Sequence, residues 1–294
     1  MPSNVIITRE IAPVPERRDD AHKGDVGRIV IIGGCCDEVV MVGAPALAAN
    51  AAFRSGAGLI QLLIPEAIRT SVAVLAPCAT TRTLPTDTDG LLEAVADFRA
   101  DVVAFGPGLG DSLTPAVVAD FLTRFPGPVV VDADGLNRLA DAPPFAMPDP
   151  QRITLTPHAG ELRRLLAARG HDRPIDSTNT ARRAAACALV EAYGCSVVLK
   201  GRGTIVTNGQ RLYANETGNA GMATGGAGDV LTGIIAALIG QRMKPFEAAV
   251  LGVYLHGLAG DFAAEELGRW SMTAMDIIEY LSEAFSEHDM SASE

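Results

Sequence analysis

Apolar and polar residues form blocks along the chain that predict short strands separated by longer helices. The strand-like blocks are nearly continuous apolar runs, and the helix-like blocks are rich in alanine and leucine. Because near-continuous apolar strands are typical of parallel sheets covered on both faces, the pattern predicts a three-layer α/β/α fold with a mostly parallel central sheet. Strands are expected at 28–32, 59–64, 101–105, 128–131, 152–155 and 196–200, and helices at 43–55, 114–124, 161–169, 178–193, 228–241, 245–267 and 273–285.

The pattern changes in the C-terminal third of the chain. Two further short apolar runs, 204–207 and 211–214, are separated by Asn208-Gly209, a strong signal for a tight hairpin. Antiparallel strands are therefore expected to join the sheet here. No internal repeat or linker divides the chain, so residues 1–294 are predicted to form a single domain with flexible ends at 1–20 and 286–294.

Composition and charge exclude several classes of partner. The chain is 48% hydrophobic and 20% charged, as in ordinary globular proteins, and its net charge is -11 with no basic cluster. Nucleic acids and anionic membranes are therefore poor partners, and no uncharged apolar run approaches the roughly 18 residues of a membrane span. The five cysteines contain no C-x-x-C pair. They are expected to stay reduced in the cytosol, which predicts a cytoplasmic protein.

A glycine-rich turn is the strongest chemical signal. Gly225-Gly226-Ala227-Gly228-Asp229 leads directly into an apolar helix, and exposed N–H groups at such a helix start form an anion site. The spacing is not that of a Walker A loop. Asp229 is interpreted as a general base that takes a proton from an attacking hydroxyl. Its alternative role, as a cap of the helix, is compatible with that one.

Two further segments follow predicted strands. Gly106-Pro107-Gly108-Leu109-Gly110 would allow a ligand to approach closely, since ligands of open α/β sheets bind beyond the carboxyl ends of strands. A tight strand-to-helix turn is the alternative. Asp132 and Asp134 follow the next strand and are candidates for holding Mg²⁺, or one of them caps the following helix while Asn137 forms a local hydrogen bond.

Two later strands also end in polar residues. His158 follows Thr156-Pro157 and has Glu161 one turn on, which favours a site role over a purely structural one. Lys200 and Thr204 are candidates for a cation and a hydroxyl that grip a phosphate, and an edge hairpin with a solvated lysine is the alternative. Among the other histidines, His256 is expected to be a hydrogen-bonded core residue and His288 to be solvated.

These segments, in this order, resemble the ADP- or ATP-dependent NAD(P)H-hydrate dehydratases of the ribokinase-like superfamily. The runs T-P-H-x-G-E and G-N-x-G-M-A-T-G-G-x-G-D together are specific to that family, whereas G-G-x-G-D alone marks the superfamily. The chain departs from the family at Cys35, where the family has serine after Ile-Gly-Gly. The matching runs are 23–28, 31–34, 43–49, 54–59, 106–110, 132–134, 155–161 and 219–232.

The resemblance implies a repair reaction, in which hydrated NADH or NADPH (NADHX or NADPHX) is dehydrated while ADP or ATP is consumed with Mg²⁺. It implies that Ala44, Gly108, His158, Asn219 and Asp229 bind the damaged cofactor. It further implies a homo-oligomer, a tetramer in the family, to which a mean hydropathy of +0.22 also points. An NAD(P)H-hydrate epimerase is the expected functional partner, and no such domain is expected before Lys23. The nucleotide-binding residues implied by the resemblance are Lys200, Gly201, Arg202, Gly203, Thr204, Gly226 and Gly228.

Two alternatives stay open at this point. Within the superfamily, the chain could be a kinase of a vitamin precursor alcohol, of the hydroxymethylpyrimidine or thiazole type. A kinase leaves a stable phosphorylated product, whereas a dehydratase releases free phosphate. From a different class, it could be a nucleotide-binding protein without catalysis, against which the intact Asp229 argues.

Overall fold

A computed structural model describes residues 5–143, 145–171 and 178–292 of the chain. Its centre is a ten-stranded sheet in the order β1-β12-β11-β10-β9-β8-β7-β2-β5-β6, beside a separate two-stranded hairpin of β3 and β4. The strands of the described chain are β1 Ile6–Ile7, β2 Arg28–Ile32, β3 Cys35–Cys36, β4 Val40–Met41, β5 Leu59–Ile64, β6 Thr80–Thr83, β7 Val102–Phe105, β8 Val129–Val131, β9 Ile153–Leu155, β10 Ser196–Leu199, β11 Ile205–Thr207 and β12 Arg211–Ala214.

Helices cover both faces of the large sheet. The central strands β6, β5, β2, β7, β8, β9 and β10 pair in parallel, whereas β11 pairs with both β10 and β12 in antiparallel fashion. The α-helices of the described chain are α1 Gly43–Arg54, α2 Arg69–Leu75, α3 Thr88–Phe98, α4 Pro115–Arg124, α5 Asp134–Asp141, α6 Ala159–Ala167, α7 Asn179–Tyr193, α8 Ala227–Gly240, α9 Pro245–Leu267, α10 Ala274–Glu279 and α11 Leu281–Ala292.

The alternation of side chains along each strand divides the core into two layers. Ile29 and Ile31 of β2 pack on the layer formed with α1, α8 and α9. Val30 and Ile32 of the same strand pack on the layer formed with helices α3 to α7. The predicted three-layer α/β/α fold with antiparallel strands in the C-terminal third is therefore confirmed, because each central strand is apolar on both faces.

The topology brings the candidate segments to one edge of the sheet. Strand β2 lies between β5 and β7, so the chain builds outward from β2 first in one direction and then in the other. Ligands of open α/β sheets bind at the carboxyl ends of strands near such a switch point. The segments that follow β7, β8, β9 and β10 meet there, since these four strands are neighbours and parallel.

Several elements differ from the sequence prediction. Strand β6 was not predicted, because its residues Thr80–Thr83 are polar and it lies at the edge of the sheet. Helices α3 and α5 were also missed. The single helix predicted at 273–285 is two helices, which are separated at Tyr280. Helix α11 continues to Ala292, so most of the segment 286–294, which was predicted to be a flexible tail, is helical.

The two ends of the described chain contact the body of the protein. Ile6–Ile7 adds a parallel strand beside β12 within the segment predicted to be flexible. His288, expected to be solvated, is buried, with its Nε2 2.9 Å from the Ala12 carbonyl oxygen. The remaining parts of the predicted flexible ends, residues 1–4 and 293–294, lie outside the described residues. Over the described ranges, none of the helices combines the length and apolar character needed to cross a bilayer.

Candidate active site

Asp132, at the end of β8, occupies the centre of the site. It is 1% exposed, and its two carboxylate oxygens have different partners. Oδ1 lies 2.5 Å from Lys200 Nζ, and Oδ2 accepts a hydrogen bond of 2.7 Å from the Thr232 hydroxyl on α8. One buried carboxylate thus connects the end of β8, the end of β10 and the first turns of α8.

The glycine-rich turn forms the start of α8. Gly226 is its N-cap residue with φ +93°, a backbone conformation that favours glycine, and a Cβ there would lie 2.5 Å from Leu47 Cδ1, so that side chain would have to move. Ala227 N–H contacts Thr224 O at 3.5 Å and Val230 N–H donates to Gly226 O at 3.0 Å. The N–H groups of Gly228 and Asp229 have no acceptor among the described residues. The helix start is therefore open to an anion.

Asp229 lies in the first turn of α8 and is half-buried. Burial, reinforced by the charge of Asp132, raises the pKa of Asp229 to about 7, and Lys200 opposes this only in part. Near neutral pH a carboxylate with this pKa accepts a proton far more readily than an ordinary aspartate. The position and the pKa agree with the role of general base predicted for this residue.

His158 and Glu161 form a reciprocal pair at the start of α6. His158 Nδ1 accepts hydrogen bonds from the N–H groups of Gly160 and Glu161, and Glu161 Oε2 accepts one of 2.7 Å from His158 N–H. This capping box is the structural role that the sequence left as the alternative. Partial burial and Lys200 lower the pKa of His158, so its ring is neutral at pH 7. The ring stays exposed, and its predicted contact with the damaged cofactor stays a prediction.

Glu161 is a second carboxylate with a raised pKa. It is 7% exposed, and burial raises its pKa to about 7 although Lys200 Nζ lies 4.0 Å from Oε2. Burial alone would lower the pKa of Lys200, but Asp132 and Glu161 outweigh it and the pKa is raised. Lys200 therefore stays protonated at neutral pH beside the carboxylates of Asp132 and Glu161. The alternative of a solvated edge lysine is wrong.

The loop that follows Lys200 is exposed at Gly201 and Arg202 and joins β10 to β11. Gly201 and Gly203 have φ of +129° and +62°, backbone conformations that favour glycine. The Thr204 hydroxyl donates to the Gly201 carbonyl at 2.9 Å, so its proton is used within the loop.

The glycine loop after β7 packs against α1 and the β3–β4 hairpin. A Cβ at Gly108 would lie 3.0 Å from Ala44 Cβ and 3.1 Å from Met41 Cβ, which brings the two predicted cofactor-binding residues Ala44 and Gly108 together. Gly110 N–H donates to Asp134 Oδ2 at 2.9 Å. Asp134 is the first residue of α5 and does not cap it, so the capping interpretation is wrong, whereas its predicted local bond with Asn137 is present at 3.3 Å.

Asn219 begins the segment that leads to the glycine-rich turn. Its amide nitrogen donates to Gly260 O at 2.8 Å and to Asp261 Oδ1 at 2.9 Å, and its amide oxygen accepts from Gly221 N–H at 2.9 Å. The side chain therefore anchors the segment to α9. It also lines a surface groove of about 380 Å³ with Asp261 and Arg269. A contact of Asn219 with the damaged cofactor stays a prediction.

The two predicted Mg²⁺ ligands, Asp132 and Asp134, both accept hydrogen bonds within the protein. Both oxygens of Asp132 are engaged, and Glu161 Oε2 is bonded to His158 N–H. Within 5–143, 145–171 and 178–292, no group of three or more His, Cys, Asp or Glu side chains is arranged to hold a metal ion.

One residue of the site region was not found from the sequence. Arg182 on α7 donates to backbone carbonyls of the Lys200–Gly203 loop. These contacts join a helix to a loop beyond the next strand, so no local sequence signal could have shown them. His256 on α9 was expected to be a hydrogen-bonded core residue, but its buried Nε2 has no partner among the described atoms.

The comparison with protein families settles the relationship of this chain. The model of the family described as NAD(P)H-hydrate dehydratase matches residues 29–283. The chain belongs to the NAD(P)H-hydrate dehydratase family. A similar relative is the bifunctional NAD(P)H-hydrate repair enzyme Nnr of Moorella thermoacetica, 40% identical over 280 residues that cover 91% of this chain and 51% of the relative. The chain thus spans about half the length of the relatives it matches.

Solved structures agree with this family. The ADP/ATP-dependent NAD(P)H-hydrate dehydratase of Bacillus subtilis, co-crystallised with ATP/Mg²⁺, has a TM-score of 0.79 and 28% identity over 94% of this chain and 95% of that chain. A ribokinase-like superfamily protein of Enterococcus faecalis has a TM-score of 0.78 and 26% identity over 94% and 92%. The predicted family and the ribokinase-like fold are confirmed, and the family is one of enzymes.

A vitamin kinase is a more distant match. The hydroxyethylthiazole kinase of Pyrococcus horikoshii has a TM-score of 0.57 and 17% identity over 89% of each chain. At this identity the likeness shows a shared fold alone, because one fold hosts many chemistries.

Proposed function

We propose that this protein dehydrates hydrated NADH and NADPH to NADH and NADPH, with ADP or ATP as the phosphoryl donor. The observation that carries the proposal is the position of Asp229. A carboxylate with a pKa of about 7 lies in the first turn of α8, next to two backbone N–H groups without an acceptor among the described residues. An anion site and a general base thus share one helical turn, which is the pairing that phosphoryl transfer to a hydroxyl needs.

Asp229 is proposed to act first. It takes the proton of the ring hydroxyl, whose oxygen attacks the terminal phosphoryl group of the nucleotide. The P–O bond to the nucleotide breaks, and a ring phosphate ester forms. The raised pKa suits this step because a stronger base gives the proton transfer more driving force while part of the population is still ionised near pH 7.

The phosphoryl group carries charge that the start of α8 is suited to stabilise. The N–H groups of Gly228 and Asp229 would point their dipoles at it. Lys200 adds a positive charge, since a Cβ placed on Gly228 would lie only 3.3 Å from its Nζ. Asp132 keeps Lys200 at this position through the 2.5 Å contact.

The second step converts a poor leaving group into a good one. Hydroxide leaves slowly, whereas phosphate leaves readily and takes the electron pair of the C–O bond. The ring nitrogen supplies electrons to the carbon that phosphate leaves. Loss of a proton from the adjacent ring carbon then restores the double bond of the dihydropyridine ring, and free phosphate carries away the oxygen of the former hydroxyl.

The two substrates are proposed to occupy neighbouring parts of the edge of the sheet. Ala44, Gly108 and His158 would contact the hydrated cofactor, with Asn219 further out. The loop of residues 200–204, together with Gly226 and Gly228, would contact the nucleotide. We propose that Mg²⁺ binds to the phosphates of the nucleotide, since Mg²⁺ is usually held by substrate phosphates and water together with one or two carboxylates.

The experiment is incubation of the protein with hydrated NADH or NADPH and either ADP or ATP. Dehydration restores the absorbance of the reduced ring and releases phosphate, and Asp229→Asn is expected to bind nucleotide but to lose nearly all turnover. A stable phosphorylated product without return of absorbance would instead indicate a kinase. Nucleotide binding without any turnover would indicate the non-catalytic alternative.

The remaining expectations are also proposals. We propose a single domain over 1–294, a homo-oligomer of tetrameric type, a cytoplasmic location and membership of the lyases. An NAD(P)H-hydrate epimerase is the proposed functional partner, supported by the bifunctional relatives, of which this chain matches about half. Sedimentation at micromolar concentration tests the assembly, and a monomer would contradict it.

A further inference from the structure

In the loop between β10 and β11, the backbone carbonyls have hydrogen-bond partners, whereas the backbone N–H groups after Lys200 have none among the described residues. Its four carbonyls from Lys200 to Gly203 all accept hydrogen bonds from side chains. Its N–H groups from Gly201 to Thr204 have no acceptor among the described residues. Successive free N–H groups on a turn form a concave anion site.

Arg182 accounts for most of the carbonyl contacts. From the first turns of α7, its Nη1 donates to Arg202 O and, at 3.4 Å, to Gly203 O, while its Nη2 donates to Lys200 O at 3.5 Å. The fourth carbonyl, that of Gly201, accepts from the Thr204 hydroxyl. A guanidinium suits this task, because its five donors lie in a rigid planar fork.

The packing around the guanidinium is close. A Cβ on Gly201 would lie 3.3 Å from Arg182 Nη2, and the φ of Gly201, +129°, is one that L side chains rarely adopt. Burial lowers the pKa of Arg182, yet an arginine stays charged at neutral pH. Its partners among the described residues are the carbonyl oxygens of the loop, whose dipoles face its positive charge.

We propose that Arg182 is a positioning residue for nucleotide binding: by holding the carbonyls of Lys200, Arg202 and Gly203, it leaves the N–H groups of the loop free for the phosphates of ADP or ATP. This role rests on the proposed function, in which the loop contacts the nucleotide. The role is separate from that of Lys200, which faces Asp132 and the start of α8.

The test compares Arg182→Met and Arg182→Lys with the matched control Arg183→Met. Arg183 is the next residue of α7, and the structure gives it no hydrogen bond or ion pair with described residues. Dissociation constants of ADP, ATP and adenosine are measured by calorimetry without hydrated cofactor, together with the melting temperature. Steady-state kinetics then give kcat and the KM of each substrate.

Arg182→Met is expected to raise the dissociation constants of ADP and ATP at least tenfold and that of adenosine less than twofold. Arg182→Lys should fall between Arg182→Met and the parent, because one ammonium replaces only part of the fork. The KM of the hydrated cofactor should stay within twofold of the parent value, and Arg183→Met should behave as the parent.

Three results would overturn the inference: unchanged affinity for ADP in Arg182→Met, an equal loss for adenosine, or an equal loss in Arg183→Met. If Arg182→Met does not fold, parent-like affinity in Arg182→Lys overturns it. A failure of the proposed function can be distinguished from a failure of this inference. A parent protein that binds ADP but does not dehydrate hydrated NADH leaves the affinity comparison intact, whereas a parent that binds neither nucleotide refutes both.

Discussion

Gly228→Ala separates the stability of α8 from its proposed contact with phosphate. Within a helix, alanine in place of glycine contributes about 1 kcal/mol to stability. The added Cβ would lie 3.3 Å from Lys200 Nζ and 3.9 Å from Asp132 Oδ2, so a tight contact with a lysine tip offsets part of that gain. The free energy of unfolding should therefore stay within about 1 kcal/mol of the parent, a change of about 2 °C in melting temperature.

Nucleotide affinity should respond quite differently. The new methyl group enters the gap between Gly228 and Lys200, where the proposed phosphoryl group must lie. We expect the dissociation constant of ADP to rise at least tenfold, measured by calorimetry on protein whose melting temperature has been checked.

Gly233→Ala, the same substitution further along α8, is the control. Its Cβ would lie 2.1 Å from the Ala48 carbonyl oxygen, which forces the backbone of α1 to move. Overpacking of this kind costs about 1–3 kcal/mol or more, so this variant should melt well below the parent, while its folded fraction keeps its affinity for ADP. Parent-like affinity in Gly228→Ala would refute the placement of the phosphoryl group, and a large loss of stability would show that Gly228 has a packing role instead.

Three further predictions concern other parts of the site. The pKa values of Asp229 and Glu161 are raised to about 7, so the folded protein holds these two protons more tightly than the unfolded chain does. The stability that this tighter proton binding contributes is complete below pH 4 and is lost as the pH rises through 7. Asp229→Asn should therefore unfold at higher denaturant concentration than the parent at pH 8 but not at pH 4, and kcat/KM of the parent should rise with pH through about 7. His158→Ala should lower the free energy of unfolding by about 1 kcal/mol, because the cap of α6 is lost. It should also raise the KM of the hydrated cofactor several-fold and leave the nucleotide KM unchanged. A loss of stability without a change in KM would show that His158 has only a structural role. Ala133 has a φ of +49° between two site acids, so Ala133→Gly should raise the free energy of unfolding by about 1 kcal/mol, and a lower melting temperature would contradict the strain.

Local patterns predicted much of the fold. The central strands and the helices α1, α4, α7 and α9 follow from apolar runs and capping residues within a few positions of their ends. Strand β6 was not predicted because Thr80–Thr83 contains no apolar run, and this segment becomes a strand by pairing with β5. The burial of His288 was not predicted because the Ala12 carbonyl that it contacts is 276 residues away in the sequence.

In the candidate site, too, features that depend on neighbouring residues were predicted, whereas contacts between distant segments were not. The glycine-rich turn and Asp229 were found from neighbouring residues alone. The contact of Asp132 with Lys200 depends on the order of β8, β9 and β10 in the sheet, which no short motif contains. The pKa of Asp229 likewise depends on burial and on charges from other strands.

The fate of the ring oxygen tests the central claim most directly. Hydrated NADH prepared in ¹⁸O-labelled water carries the label in its ring hydroxyl. Dehydration in unlabelled water with ADP or ATP, followed by mass spectrometry of the released phosphate, should find one ¹⁸O atom in each phosphate for each NADH regained. Label in the water and unlabelled phosphate would show that the hydroxyl leaves without phosphorylation, and would contradict the proposed role of Asp229 and the glycine-rich turn.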